Sequence, residues 1–515
     1  SASPLRHWLK NYFFADFWRE TAGTTVIVYD QTCAAEKRRR RKRGKMADPD
    51  TRVVINPAVC EGCGDCSVQS NCVSVEPLAT EFGRKRRINQ SSCNKDYSCL
   101  HGFCPSFVTV EGGRLRRASV AFDLTGVPEP EIVPPSGPVN ILVTGVGGTG
   151  VLTISALLGM AAHVAGLAST TADMAGLAQK GGAVWSHVRL APSDGDLLSP
   201  RIMGGSADVV LACDAVVAAE RAAQALMSAE RTRVVANADL VPLADFVRNR
   251  DFDFREALVR RTIAAAAKDS DFVAAERHAT ALLGDAIGAN MLLLGFAWQK
   301  GLIPLSAAAL DEAIVLNGVA VEFNRRAFAL GRLLAHDPAR VEALSAPPAP
   351  PAATLPEMVE HRATDIVAWG DPAAADRYRA CVSRVAAAEE AAMTGSSALA
   401  MAVARALHKL IAYKDEYEVA RLMTDGRFAE QLGQTFSERR RLHFHLSPPL
   451  LAGIDRRTGR PRKYRVPGWV GLPLFGMLAA MKRLRGTALD PFGRSDERRR
   501  ERAAAAAYEA EIDRL

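Results

Sequence analysis

The sequence predicts an α/β protein in three parts: a cysteine-rich segment, an α/β unit, and a mainly helical C-terminal region. Three observations carry this reading. Seven of the ten cysteines fall between Cys60 and Cys104. A strand candidate, Val139 to Thr144, runs into the glycine loop Gly145 to Gly150 and then into an Ala/Leu-rich helical stretch, Val151 to Val164, the order that opens an α/β domain. Beyond Pro356, Ala, Arg, Glu and Leu recur at helical spacing.

In chain order, an amphipathic aromatic segment (Trp8, Tyr12, Phe13, Phe14, Phe17, Trp18) precedes a β-branched run, Gly23 to Asp30, which reads as a buried strand. One helix and one strand do not make a domain, so the chain is expected to start near the end of one. Lys37 to Lys45 (KRRRRKRGK) then brings eight basic residues and no acid. Without that run, the chain carries 57 basic and 57 acidic residues, so the formal net charge of +8 resides there. This excludes a protein basic over its whole surface. With 48% hydrophobic and 24% charged residues, wholesale disorder is excluded too.

The cysteine segment ends near Gly113. A Pro-rich linker, Val127 to Pro138, leads to the α/β unit, whose further strand candidates are Ala183 to Leu190, Ala207 to Ala212 and Arg233 to Ala238. Alanine-rich helical stretches separate or follow them to about Leu333. A second linker lies near Ser345 to Pro356. The longest apolar run, Val466 to Met481, is interrupted by Pro467, Gly468, Gly471, Pro473 and Gly476. It falls short of the roughly 20 apolar residues of a spanning helix and reads as buried or surface-packed. No signal peptide is evident, and a disulfide framework suits a small secreted chain better than this one. Metal-binding cysteines in a cytoplasmic protein are the expectation.

Cys60, Cys63 and Cys66 form C-x2-C-x2-C, and Cys104 precedes Pro105. Three thiolates at this spacing wrap a tight loop in which each sulfur meets a different iron of one cubane, and a remote Cys-Pro supplies the fourth ligand. The small Gly62 and Gly64 let the backbone pass close to it. We therefore assign Cys60, Cys63, Cys66 and Cys104 to one [4Fe–4S] cluster; zinc usually takes separated C-x2-C pairs. Cys72, Cys93 and Cys99 remain, three ligands where four are usual. Cys33, Asp96 or His101 would complete the set, or it holds three irons, or these are free buried thiols.

VCEGCGDCSVQSNC and EFGRKRRINQSSCNKDYSCLHGFCPSF resemble the ferredoxin-type segment of fused indolepyruvate ferredoxin oxidoreductases. VIVYDQTCAAEKRRRRKRG resembles the end of that family's thiamine diphosphate-binding domain. GVGGTGV and MAGLAQKGGAVWSHVRL are similar to the γ-type domain of 2-oxoacid ferredoxin oxidoreductases. AYKDEYEVARLMTDGRF, HLSPPLL, TGRPRK and LRGTALDPFG resemble the family's C-terminal helical domain. The resemblance covers about Thr24 to the C-terminus. It implies a ferredoxin-like iron–sulfur segment, a Rossmann-like α/β/α γ-type domain and a mainly helical C-terminal domain. The expected divisions are 1–45 (remnant of the thiamine domain and basic connector), 46–126, 139–340 and 356–515.

The implied reaction joins a 2-oxoacid, coenzyme A and oxidised ferredoxin to give acyl-coenzyme A, CO2 and reduced ferredoxin. Thiamine diphosphate and Mg2+ belong to a portion absent here: the family's Gly-Asp-Gly segment with its following Asn does not occur, and Asp194-Gly195-Asp196 is the nearest run. No catalytic residue is assigned to this chain, which is expected to carry the electron relay and part of the pocket wall and to be inactive alone. Expected partners are ferredoxin, the thiamine-bearing portion or subunit, and further copies of the chain; neither nucleic acid nor membrane is expected.

The loop GVGGTG matches G-x-G-x-x-G through Gly145, Gly147 and Gly150, with Gly148 between, and such a loop lets a diphosphate approach backbone N–H groups. A dinucleotide site also wants an acid about 20 residues on; Asp173, in TTADMAG, is the nearest. Tight helix–strand packing without a ligand is the other reading, and an NAD(P)-linked iron–sulfur reductase the rival function it offers. The resemblance points to coenzyme A or the active-site frame. Gln179, Lys180, Gly181, Gly182 and His187 form a second distinctive loop, in which Lys180 would meet a phosphate or carboxylate, or stand in a solvated turn. His443 and His445 with Arg439 to Arg441 offer an anion site or a half-exposed strand, and Gly459 to Lys463 reads as a turn. The basic run and Arg84 to Arg87 (RKRR) either steer an acidic ferredoxin or are solvated connectors. A zinc-bearing nucleic-acid-binding protein is the remaining rival.

Overall fold

The computed structural model describes residues 23–24, 32, 34–70, 72, 74–116, 121–175, 182–240, 255–345, 354–437, 440–447, 453–455 and 460–514. The strand expected at Gly23 to Asp30 is almost wholly outside them, as are Cys33, Gln179, Lys180, Gly181 and Arg439.

The basic run forms the helix Ala34–Lys42. The cysteine segment has four strands: β1 (Thr51–Ile55), β2 (Val75–Thr80), β3 (Gly83–Ile88) and β4 (Phe107–Glu111). β2 and β3 are an antiparallel hairpin, and β1 pairs antiparallel with β4.

The central unit contains β5 (Val139–Val146), β6 (Ala168–Ala175), β7 (Ala183–Ala191), β8 (Val209–Ala212), β9 (Arg233–Asn237) and β10 (Asp269–Val273). They form one mixed sheet in the order β10-β9-β8-β5-β7-β6, parallel from β10 to β5 and antiparallel through β7 and β6. Side chains alternate across a strand, so the sheet feeds two cores. Ile141, Val143 and Leu211 join Leu157, Leu292 and Leu330 from helices Val151–Val164, Ala289–Gln299 and Val321–His336. Leu142, Val210 and Ala212 face the opposite layer with Ala223 and Ile263. Two of those helices pack backbone to backbone. A Cβ on Gly295 would lie 2.1 Å from the Phe328 carbonyl, and one on Gly331 would lie 1.9 Å from that of Leu292.

Helix Val151–Val164 and the four expected strands occupy the expected places within a few residues at each end. β6 and β10 lie where helical stretches were expected. Each is a sheet edge with one partner, and a polar edge strand lacks the apolar pattern that marks a buried one.

The C-terminal region is helical apart from β11 (Arg441–Leu446), β12 (Ile454–Asp455), β13 (Arg460–Pro461) and β14 (Tyr464–Pro467). β11 pairs with β4 and β14 with β11, giving one sheet, β1-β4-β11-β14. The regions expected at 46–126 and 356–515 therefore share a sheet, and they share a core. Val54, Val108 and Val110 pack with Leu422, Phe428, Phe436, Phe444 and Phe475. The apolar run Val466 to Met481 supplies the end of β14 and the helix Gly468–Ala480, which buries Phe475 and leaves Trp469 outside. Among the described residues no helix is long and apolar enough to cross a membrane.

A polar contact at Asn89 ties the cysteine segment to the central unit. The Asn89 side-chain amide donates to Glu76 at 2.6 Å and to Glu276 at 3.2 Å. Burial, then the charges of Glu76 and Asp239, push the Glu276 carboxyl up to about 7, with Arg87 and Asn89 opposing. Its folded value lies above its ordinary one, so the stability held with the acid protonated is lost as pH rises from about 4.5 to about 7. Glu276→Gln is expected to stabilise the protein by about 1–2 kcal/mol near pH 8 and by much less near pH 5. Denaturant titrations at both values check this; an equal effect at both would refute it.

Candidate metal centre

The C-x2-C-x2-C loop leaves β1 and enters the short helix Asp65–Ser70, which carries Cys66. Gly62 and Gly64 are left-handed, with φ of 67° and 83°, a conformation glycine adopts without strain. Gly62 has a further reason: a Cβ there would lie 2.2 Å from the Arg84 carbonyl on β3. Its smallness serves the contact with the hairpin. The Cys104 arm is tied back by the Phe103 N–H, which donates to the Asp65 carboxylate at 3.0 Å.

Cys60, Cys66 and Cys104 are buried and Cys63 is exposed, so one corner of the pocket reaches the surface. Burial and then the Cys60 charge push the Cys66 thiol up to about 12, with Cys104 and Cys63 adding and Arg86 opposing. Burial raises Cys104, the Ser106 hydroxyl 3.0 Å from its Sγ and the Ser106 backbone oppose, and Cys60 and Cys63 add to the rise. The four expected ligands are thus one another's electrostatic neighbours. The Gly62 N–H donates to Cys60 Sγ at 3.3 Å. Burial and the neighbouring sulfurs thus disfavour the Cys66 and Cys104 thiolates, so a metal must displace the protons of those two thiols.

Cys72, Cys93 and Cys99 form a second group. Burial raises the Cys99 thiol, and Cys93, Cys72 and Asp96 then add to it before Cys66 does. Burial also raises Cys93, the Lys95 N–H 3.4 Å from its Sγ opposes, and Cys72 and Asp96 add. Of the three expected fourth partners, Asp96 is exposed and accepts from the Ser98 N–H at 3.2 Å and hydroxyl at 2.9 Å, while its charge reaches Cys99 and Cys93. His101 is exposed at the end of the turn Ser98–His101, and Cys33 is outside the described residues. Lys95 and Tyr97, on either side of Asp96, are both left-handed at φ of 53° and 62°. Non-glycine residues pay for that conformation, and such strain gathers at functional loops. Lys95 Nζ holds the loop through Asp48 and the Pro49 carbonyl, each at 2.7 Å, and Tyr97 Oη through the Thr51 carbonyl at 2.9 Å.

Among the described residues no three His, Cys, Asp or Glu side chains converge closely enough to share a single metal ion. Four cysteines are the donor set that a cubane takes, each thiolate on a different iron.

The pocket lining contains residues that the sequence reading placed elsewhere. RKRR lies on β3, and within it Lys85 and Arg86 are 7% and 1% exposed. These two cannot steer a partner from inside the protein, whereas Arg84 and Arg87 of the same run are exposed. The Arg86 guanidinium loses by burial and is supported first by Cys66, then by Cys60, so it offsets thiolate charge. Burial lowers Lys85 to about 8, Lys414 adds to the fall, and Glu61 and Cys60 oppose it. The other basic run lies against the second group's loop: Arg41 donates to the Asn94 carbonyl at 2.6 Å and Arg38 to that of Ser91 at 3.4 Å.

Gly145 lies near the end of β5, and Gly147, Gly148 and Gly150 form the turn into its helix. A Cβ on Gly145 would lie 2.5 Å from Val151, so that glycine answers to helix–strand packing. Gly148 and Gly150 are left-handed. The Gly147 N–H donates to the Gly182 carbonyl at 3.0 Å and the Thr149 N–H to that of Val146 at 3.3 Å. Gly182 thereby meets the glycine loop, while Gln179 and Lys180 lie outside the described residues. Two amides a diphosphate would use are engaged, and Asp173 lies on antiparallel edge strand β6, where it accepts from the Ser155 and Ser186 hydroxyls at 3.2 and 2.5 Å. A dinucleotide fold places that acid at the tip of a parallel strand, so this geometry does not favour the nicotinamide reading. His187 is buried on β7 and accepts from the Ile202 N–H at Nδ1 (3.2 Å). His443 and His445 lie on β11, paired on both sides.

Residues 140–334 match the family described as Pyruvate ferredoxin/flavodoxin oxidoreductase. Residues 355–515 match a Family of unknown function (DUF6537). The indolepyruvate oxidoreductase subunit IorB of Pyrococcus horikoshii is 32% identical over 200 residues, which are 37% of this chain and 93% of that subunit. The subunit of the same name from Archaeoglobus fulgidus is 48% identical over 75 residues, spanning 15% of this chain and 35% of that one. Among solved structures, pyruvate oxidoreductase subunit PORC of Thermotoga maritima is 19% identical, with a TM-score of 0.29 over 38% of this chain and 96% of its own. On the near-complete coverage of the Pyrococcus subunit, the chain belongs to the 2-oxoacid:ferredoxin oxidoreductase superfamily, with the indolepyruvate oxidoreductase subunit IorB as its relative.

Proposed function

We propose that this chain is the electron-relay and γ-type part of an indolepyruvate-type 2-oxoacid ferredoxin oxidoreductase. The observation that carries the reading is the pocket in which Cys60, Cys63, Cys66 and Cys104 are mutual neighbours. These four would hold a [4Fe–4S] cluster. Cys72, Cys93 and Cys99, with Asp96 closing the set, are assigned to a second. When bound, such clusters supply one-electron transfer at low potential.

The chain's own residues prepare that chemistry. Burial of Cys60, Cys66 and Cys104 keeps water from the cluster, and exposed Cys63 leaves an edge for exchange with ferredoxin. The Gly62 N–H and the Ser106 hydroxyl hydrogen-bond the sulfurs of Cys60 and Cys104, which favours the reduced state. The central unit, with its glycine loop held by the Gly182 carbonyl, is assigned to framing the site where an aryl 2-oxoacid and coenzyme A react. The carbon chemistry belongs to a thiamine diphosphate-bearing portion, since the motif that holds that cofactor does not occur in this sequence.

Anaerobic iron–sulfur reconstitution of the full chain is expected to give a brown protein whose visible absorbance bleaches with dithionite. A colourless product overturns the reading. Mixed with a thiamine diphosphate-bearing subunit, coenzyme A and indolepyruvate, the reconstituted chain is expected to support ferredoxin reduction; alone it is expected to support none.

A further inference from the structure

Residues 355–515 match a family without a known function, yet they deliver two cations to the cysteine pocket. Lys414 Nζ donates to the Cys60 carbonyl at 3.3 Å and pairs with Glu61 at 2.5 Å. Lys463 Nζ donates to the Cys104 carbonyl at 3.0 Å and to the Leu100 carbonyl at 3.4 Å. The lysines thus hold the first and last members of the four-cysteine set. Because Leu100 follows Cys99, Lys463 also bridges the two cysteine groups.

Both cations are held by ordered backbone. Next to Lys414, Asp415 caps the helix Glu416–Thr424 by accepting from the Glu418 N–H at 2.8 Å. Asp415 also takes a two-point ion pair from Arg485, at 2.5 and 2.9 Å. Lys463 directly precedes β14, whose register on β11 is set by the pair Leu446 and Tyr464. The sheet that holds β14 also holds β4, which begins three residues after Cys104. Burial disfavours the Lys463 ammonium, and the charges of Cys104, Asp65, Cys99 and Cys66 support it, in that order.

Thiolate-ligated clusters gain a negative charge on reduction. A cation nearby, partly shielded from water, stabilises the reduced state more than the oxidised one and raises the potential. We propose that the C-terminal region sets the reduction potential of the iron–sulfur site, with Lys463 as the positioning residue that raises it and fixes the two cysteine groups relative to each other. This rests on the reading that Cys60, Cys63, Cys66 and Cys104 bind a cluster. Lys463 binds no iron and moves no proton; it acts through charge and through the two carbonyls it holds.

The test is an EPR-monitored redox titration of the full chain after anaerobic reconstitution. Lys463→Gln keeps a donor for the carbonyls and removes the charge. It is expected to shift the redox equilibrium toward the oxidised form about tenfold, or about 59 mV for one electron. Lys463→Arg is expected to stay near wild type, and Lys414→Gln to shift less, because Glu61 already offsets that charge. A wild-type midpoint in Lys463→Gln overturns the proposal. Should that variant fail to hold a cluster, Lys463→Met takes its place, and a wild-type midpoint there overturns it equally. A wild-type chain that takes up no cluster overturns the underlying reading instead, so the two failures are distinguishable.

Discussion

Cys66→Ala is expected to remove the iron and visible absorbance of the first site and to lower ferredoxin reduction by the assembled enzyme at least about 100-fold. Cys66 is the buried member of the C-x2-C-x2-C loop whose neighbours are the other three assigned ligands. Its loss leaves three thiolates, one of them exposed. The chain should still fold, because Cys66 contributes a small side chain to a core that also holds Val53, Ile55, Val75 and Phe107. Cys99→Ala is the matched control. It sits in the other group, beside Cys93 and Cys72, and is expected to spare the first site's signal. Iron analysis with EPR of both variants separates the outcomes, and equal loss in both would mean that the two groups form a single site.

The cysteine set was legible because its chemistry is local: spacing along one loop, plus a Cys-Pro, decides which sulfurs meet. The opening of the central unit was legible for the same reason, as an apolar strand, a glycine turn and a helix follow one another within 26 residues from Val139 to Val164. Lys463 was not. Its segment reads as a turn, and nothing local says that the turn is folded over Cys104. That depends on β11 pairing with β4, two strands more than 300 residues apart, and such pairing is set by tertiary packing. Arg86 was misplaced for a related reason. A run of four cations suggests solvent, but on β3 the middle two, Lys85 and Arg86, are buried while Arg84 and Arg87 are exposed. A hairpin with a two-residue turn at Glu81 and Phe82 was the available signal: side-chain alternation alone puts some of the four cations on the inner face. Gly182 meets the glycine loop through its carbonyl, a proximity that linear spacing did not show.

Phe444→Ala is expected to cost about 3–5 kcal/mol of stability and to make the first cluster lose iron faster to a chelator, although Phe444 lies 340 residues beyond Cys104. Phe444 is fully buried on β11, opposite Val108 of β4, and its ring meets Phe475 edge-on at 4.9 Å. Removing it opens a cavity where the C-terminal region and the cysteine segment share their core. β4 begins three residues after Cys104, and Lys463 lies in the strand system on the other side of β11, so the loss loosens both the fourth ligand and the cation that holds it. Leu292→Ala separates this route from general instability. That leucine is equally buried, but in the central unit, and its truncation costs a comparable about 2–5 kcal/mol. Denaturant titration and iron release, measured on both variants, should show similar stability losses with faster release in Phe444→Ala alone. Equal release would mean that the shared sheet bears weight without governing the cluster. Faster release in Phe444→Ala alone would make the C-terminal region part of the iron–sulfur site, because the same strands that bury its core also position the groups around Cys104.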